Sequence, residues 1–144
     1  MGGRVVVCDD EAHIQRAIEM KLSKAGIDVQ TASDGLEAWQ LIQADPPDVV
    51  VTDLQMPRMD GLELVRRMRE EDRTAATPVI LLTAKGFEVD EQQLRQQLGI
   101  DTVVVKPFSP RELLRTVQGL LEEASPASEQ TCSLSAAAAV TAGA

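Results

Sequence analysis

The stretch Asp48-Val49-Val50-Val51-Thr52-Asp53-Leu54-Gln55-Met56-Pro57-Arg58-Met59-Asp60-Gly61 decides the reading of this chain. An unbroken β-branched run reads as a buried strand. It ends in a carboxylate, Asp53. A loop with Pro57 follows, and Asp60-Gly61 opens a helical pattern. Open parallel sheets bind their ligands at the carboxyl ends of the strands, so Asp53 stands where chemistry is usually done. Many strands merely end in an acidic residue, so the rest of the chain has to supply partners for it.

Working outward, the same grammar repeats. Arg4 to Cys8 is a valine-rich strand followed directly by Asp9-Asp10-Glu11. Ile14, Ala17, Ile18, Leu22 and Ala25 then recur at helical spacing, so Glu11 to Lys24 is expected to be an amphipathic helix closed by Gly26. Asp28 to Ala32 is a second strand. Asp34-Gly35-Leu36-Glu37 has the form of a capping box, and its helix carries Ala38, Leu41 and Ile42 on one face until Pro46-Pro47 stops it. Asp60-Gly61-Leu62-Glu63 repeats the capping pattern ahead of Leu64, Val65 and Met68. Pro78 to Thr83 is a fourth strand, Asp90 to Leu98 a short Gln-rich helix, and Thr102 to Val105 a fifth strand leading into Lys106-Pro107-Phe108. Ser109-Pro110-Arg111-Glu112 starts a last helix with Leu113, Leu114, Val117, Leu120 and Leu121 inward. Alternating apolar strands and helices imply an α/β protein, a doubly wound parallel sheet of five strands in the flavodoxin-like order 2-1-3-4-5.

Composition bounds the rest. The 144 residues make one domain, with 44% hydrophobic and 26% charged residues and a formal net charge of -9. So acidic a chain is a poor direct binder of nucleic acid. No apolar run is long enough to span a bilayer, and the first strand begins too early to leave room for a signal peptide. Cys8 and Cys132 make no disulfide framework, and Cys8 reads as a small core residue. A cytoplasmic setting is expected. Residues 125–144, mostly Ala, Ser and Thr, offer no face to bury and read as a disordered tail.

The strand ends deliver Asp9 and Asp10, Asp53, Thr83 and Lys106. Three carboxylates on adjacent strands repel one another unless something positive joins them. A hard divalent cation such as Mg²⁺ suits oxygen ligands and keeps several waters. A phosphoryl group would then fit beside it, neutralised by the metal and Lys106, hydrogen-bonded by Thr83 and attacked by Asp53. Each residue alone has a plain structural explanation, but all of them at successive strand ends is a far less common accident. His13 reads as a polar helix residue and Trp39 as half-buried packing.

Val-Val-Cys-Asp-Asp-Glu (6–11), Val-Thr-Asp-Leu-Gln-Met-Pro-Arg-Met-Asp-Gly (51–61), Leu-Leu-Thr-Ala-Lys (81–85) and Val-Val-Lys-Pro-Phe (104–108) resemble the receiver domain of bacterial two-component response regulators. The resemblance covers Arg4 to about Glu123, so 1–124 is expected to be the receiver domain and 125–144 the tail. It implies that Asp53 accepts a phosphoryl group from a sensor histidine kinase or a histidine phosphotransfer protein. It implies that Asp10, Asp53 and the Gln55 carbonyl, helped by Asp9 through water, hold Mg²⁺. It also implies that Thr83 and Lys106 contact the phosphoryl oxygens, that Lys106-Pro107 is cis, and that a downstream protein binds the face of helix four, strand five and helix five. The chain would catalyse only its own phosphorylation and dephosphorylation.

Two features depart from the family pattern. Val103 stands where receivers usually carry Tyr or Phe, and the segment from Thr83 to Gly99 looks one residue longer than usual. The loop with Gly86 and Phe87 is therefore an alternative reporter of the switch. Two other readings compete with a stand-alone switch. One is a Mg²⁺-dependent phosphohydrolase of the haloacid dehalogenase type, which would need Asp-x-Asp where this chain has Asp9-Asp10-Glu11, and a cap domain that is not seen. The other is a receiver belonging to a larger regulator or hybrid kinase.

Overall fold

Five short strands and five helices alternate along the chain in a computed structural model that describes residues 3–84 and 91–124. They are β1 (Arg4–Cys8), α1 (Ala12–Lys24), β2 (Asp28–Ala32), α2 (Gly35–Ala44), β3 (Val49–Asp53), α3 (Gly61–Glu70), β4 (Val79–Ala84), α4 (Glu91–Leu98), β5 (Thr102–Lys106) and α5 (Pro110–Ala124). All strand pairs are parallel and the sheet order is β2-β1-β3-β4-β5, as expected. Gly86, Phe87 and the tail 125–144, to which the sequence reading assigned roles, lie outside the described residues.

The pleat explains why the strands carry so little polarity. Successive side chains point to opposite faces, and here both faces are covered. Val6, Cys8, Val50, Val79 and Leu81 pack with Ala38, Ile42, Leu64, Val65 and Met68 of α2 and α3. Val5, Val7, Val49, Val51, Ile80 and Leu82 pack with Ile18 and Leu22 of α1 and Leu113 and Val117 of α5. Register then places the strand ends. Cys8 pairs with Thr52 and Asp53 with Leu82. Asp9 and Asp53 therefore emerge side by side between β1 and β3, where the strand order reverses.

Three local expectations are corrected. The buried stripe of α2 is Gly35, Ala38, Trp39 and Ile42, with Leu41 only partly buried. That is the i, i+3, i+4, i+7 spacing of one helical face, so Trp39 lies in the stripe at 8% exposure rather than half-buried beside it. On α1 the stripe is narrower than expected: Ile18 and Leu22 are buried and Ala17 and Ala25 exposed. The capping boxes are one-sided. Asp34 and Asp60 each accept from the backbone N–H three residues on, at 2.8 Å. Glu37, however, accepts from Ser33 N–H, and Glu63 pairs with Arg66 and Arg67. His13 is exposed and Cys8 buried, as read.

Gly35 marks a close approach of α2 to the loop after β3. A Cβ there would lie 2.1 Å from the Met59 carbonyl oxygen, whereas one at Gly119 in α5 would meet nothing. Gly35→Ala is expected to cost about 1–3 kcal/mol of unfolding free energy. Gly119→Ala should add about 0.5–1 kcal/mol through helix propensity. Urea denaturation of both variants checks the contrast.

Candidate functional site

Asp9, Asp53 and Lys106 converge because their strands put them on the same side of the sheet. Val51 and Val104, two residues earlier on β3 and β5, lie on the α1–α5 face, so Asp53 and Lys106 share that face by alternation. Lys106 pairs in register with Ala84 and reaches back on its four-carbon stem. Its ammonium lies 2.9 Å from Asp9 Oδ2, 3.0 Å from Asp53 Oδ2 and 3.1 Å from Glu11 Oε1. One cation thus serves three carboxylates, and Asp10 stands exposed beside them. Carboxylate oxygens of Asp9, Asp10 and Asp53 all lie within 4.8 Å of one another.

The electrostatics follow from that imbalance. Burial raises the Asp53 pKa above the ordinary value, and the nearby Asp9 charge adds to it, against the opposing Lys106 hydrogen bond and the Gln55 backbone N–H. Burial alone would lower the pKa of Lys106, but its contacts with Asp9, Asp53 and Glu11 outweigh it and hold the ammonium firmly charged. Cys8, next to Asp9, is kept a neutral thiol by burial.

Elements around the cluster hold it still. Gln15 of α1 donates from Nε2 to the carbonyls of Asp9 at 2.5 Å and Ala32 at 2.8 Å. Gly61 packs on the end of β3, where a Cβ would lie 2.3 Å from the Asp53 carbonyl oxygen. Arg58 adopts φ 67, a left-handed conformation unusual for a residue with a side chain. Its guanidinium donates to Asp34 Oδ2 at 3.0 and 2.8 Å, tying the β3–α3 loop to the cap of α2. The Lys106-Pro107 bond is cis.

A cleft of about 310 Å³ opens over the cluster, lined by Asp10, Glu11, Asp53, Leu54, Gln55, Ala84 and Lys106. Of the residues expected from sequence, the fold gathers Asp9, Asp10, Asp53, Gln55 and Lys106. Thr83 is not among those lining the cleft. It follows Val79 and Leu81 by alternation onto the other face of β4, is buried, and donates its hydroxyl to the Ala84 carbonyl at 3.2 Å. Glu11, Gln15 and Arg58 were missed as site residues. For Glu11 a signal existed: its position directly after the acidic pair.

The donor set fits a hard cation. Asp9 is fully buried; Oδ1 accepts from Glu11 N–H at 2.9 Å, while Oδ2 has no hydrogen-bond partner among the described residues. The Lys106 ammonium lies 2.9 Å from Oδ2 and is shared with Asp53 and Glu11. A buried carboxylate with only a shared counter-charge is costly, and a cation among Asp9, Asp10 and Asp53 would offset that cost.

Fold and site suit an α/β protein with an acidic cleft, open to a hard cation, at its topological switch point. Comparison with known proteins gives the family. A model of the response regulator receiver domain matches residues 5–118. The chain is 39% identical over 132 residues to the alkaline phosphatase synthesis transcriptional regulatory protein PhoP of Bacillus subtilis, covering 90% of this chain and 54% of that protein. It spans about half the length of such relatives. Among solved structures, the receiver domain of Francisella response regulator 1452 superposes with a TM-score of 0.77 at 35% identity, covering 86% of this chain and all of that one. The receiver domain of sensor histidine kinase PA1611 from Pseudomonas aeruginosa, with a magnesium ion coordinated in its active-site cleft, has a TM-score of 0.73 at 26% identity over 84% of this chain and 98% of its own. The chain belongs to the response regulator receiver domain family, the phospho-accepting switch of two-component signalling. The haloacid dehalogenase alternative is set aside. Among the described residues no helix is long and apolar enough to cross a membrane.

Because Asp53 has a raised pKa, its ionised form costs stability at neutral pH, and the cost vanishes below the unfolded value of 3.8. Without metal, Asp53→Asn should therefore melt higher than the wild type at neutral pH. The gain should shrink as pH falls through the Asp53 pKa. Melting curves across pH check this, and a lower melting point at neutral pH contradicts it.

Proposed function

We propose that Asp53 is the phosphoacceptor. Its donor is a phosphohistidine on a sensor histidine kinase or a histidine phosphotransfer protein. The observation that carries this reading is the position of Asp53: a buried carboxylate lining the cleft, 3.0 Å from the Lys106 ammonium that it shares with Asp9. An Asp53 carboxylate oxygen attacks phosphorus, the P–N bond breaks, and the imidazole nitrogen leaves with the electron pair. From an acyl phosphate the P–O bond breaks instead and a carboxylate leaves. Lys106 exchanges a carboxylate contact for a phosphoryl oxygen, so charge is met by a donor already in place.

Asp9, Asp10, Asp53 and the Gln55 carbonyl would hold Mg²⁺, with Asp9 acting through water; a bound ion supplies neutralisation of the phosphoryl oxygens. Thr83, whose hydroxyl donates to the Ala84 carbonyl, would have to turn from the other face of β4 to reach the new anion. The α4–β5–α5 face then meets a downstream protein. Support for that face is Val105, an apolar side chain 51% exposed on the edge strand β5. Val103, by contrast, is partly buried against the α2–α3 side of the core and is not a mobile surface ring. We read the chain as a cytoplasmic phosphoacceptor, not an enzyme acting on a third molecule, with no direct contact with nucleic acid or membrane.

Incubation with acetyl phosphate should give one Mg²⁺-dependent phosphoryl adduct by intact-mass spectrometry. Asp53→Asn should give none. An adduct that persists in that variant contradicts the assignment.

A further inference from the structure

Glu11 occupies the N-cap of α1, where Ser, Thr, Asp and Asn are favoured because a short side chain accepts from the free N–H groups of the first turn. Glu11 makes no such bond. Its carboxylate reaches across the site to Lys106 Nζ at 3.1 Å and lines the cleft. Asp9 and Asp53 are buried beneath it, while the Glu11 side chain is 49% exposed at the rim.

A cation among Asp9, Asp10 and Asp53 would leave the Glu11 charge uncancelled, still holding the ammonium that an incoming phosphoryl oxygen needs. We infer that Glu11 is a specificity-determining rim carboxylate: it competes with phosphoryl oxygens for Lys106 and disfavours free anionic donors. A protein donor offsets that competition with contacts over its docking surface, whereas a small acyl phosphate has only its own charge to offer. A Glu11 serving the helix dipole alone would have no reason to reach Lys106. This inference rests on the phosphoacceptor reading.

The test titrates wild type and Glu11→Gln with beryllium trifluoride, an anionic phosphoryl mimic, in the presence of Mg²⁺ and at two salt concentrations. The fluorine NMR signal of the bound mimic is the readout. Glu11→Gln should bind on the order of threefold tighter at low salt, the range of a partly exposed charge contact. Raised salt should narrow the gap by screening. Acetyl phosphate should modify the variant faster by a similar factor. Equal or weaker affinity in Glu11→Gln overturns the inference while leaving Asp53 as the acceptor. Wild type that takes up no mimic, just as Asp53→Asn takes up none, overturns the phosphoacceptor reading and this inference with it.

Discussion

The Lys106 ammonium, shared by Asp9, Asp53 and Glu11, is the contact on which the site depends. It exists because β1 and β3 end in step, while Lys106 stands two residues further along β5 and reaches back. The register that sets Cys8 opposite Thr52 also brings the next residues, Asp9 and Asp53, together. Only a long side chain from β5 can reach them across β4. With three carboxylates facing one ammonium, the arrangement is short of positive charge by two. Asp53 is harder to ionise than an isolated carboxylate and Lys106 harder to deprotonate than an isolated amine. The origins differ: burial raises Asp53 against the pull of Lys106, whereas the three carboxylates raise Lys106 against burial.

A site under such repulsion needs a stiff surround. Gly61 lets α3 start against the backbone of Asp53, and Gly35 lets α2 abut Met59. The left-handed backbone of Arg58 costs about 1 kcal/mol, offset by its paired bonds to Asp34. The Gln55 carbonyl is carried by this loop, so α2 and α3 together set where a metal ligand would sit. At the far end of the domain, Arg69 plays a similar part for α4, donating to the carbonyls of Leu98 and Gly99 that close it.

The sheet was legible because β1, β3 and β4 are buried on both faces and read as runs of valine, isoleucine and leucine, with Gly and Pro between the elements. The site was legible in its acidic residues and Lys106 because strand ends are marked by the change from apolar to charged. What sequence could not give was direction. Thr83 is one residue beyond the pairing of Asp53 with Leu82, and that single step puts its hydroxyl on the other face of the pleat. Trp39 was placed beside its stripe because Leu41 was counted into it. Packing against both β1 and α3 selects the Gly35, Ala38, Trp39, Ile42 face instead. The roles of Gln15 and Arg58 depend on acceptors distant in sequence, Ala32 and Asp34, that no local pattern announces.

The central claim is that the folded chain carries a charge deficit that a divalent cation completes at Asp9, Asp10 and Asp53. The most direct measurement is the melting temperature of the wild type against Mg²⁺ at constant ionic strength. A rise that sets in near the dissociation constant and then grows as the logarithm of metal concentration is predicted, since an ion that binds only the folded state stabilises it by mass action. No rise, or a rise that sodium chloride of equal ionic strength reproduces, would contradict the account.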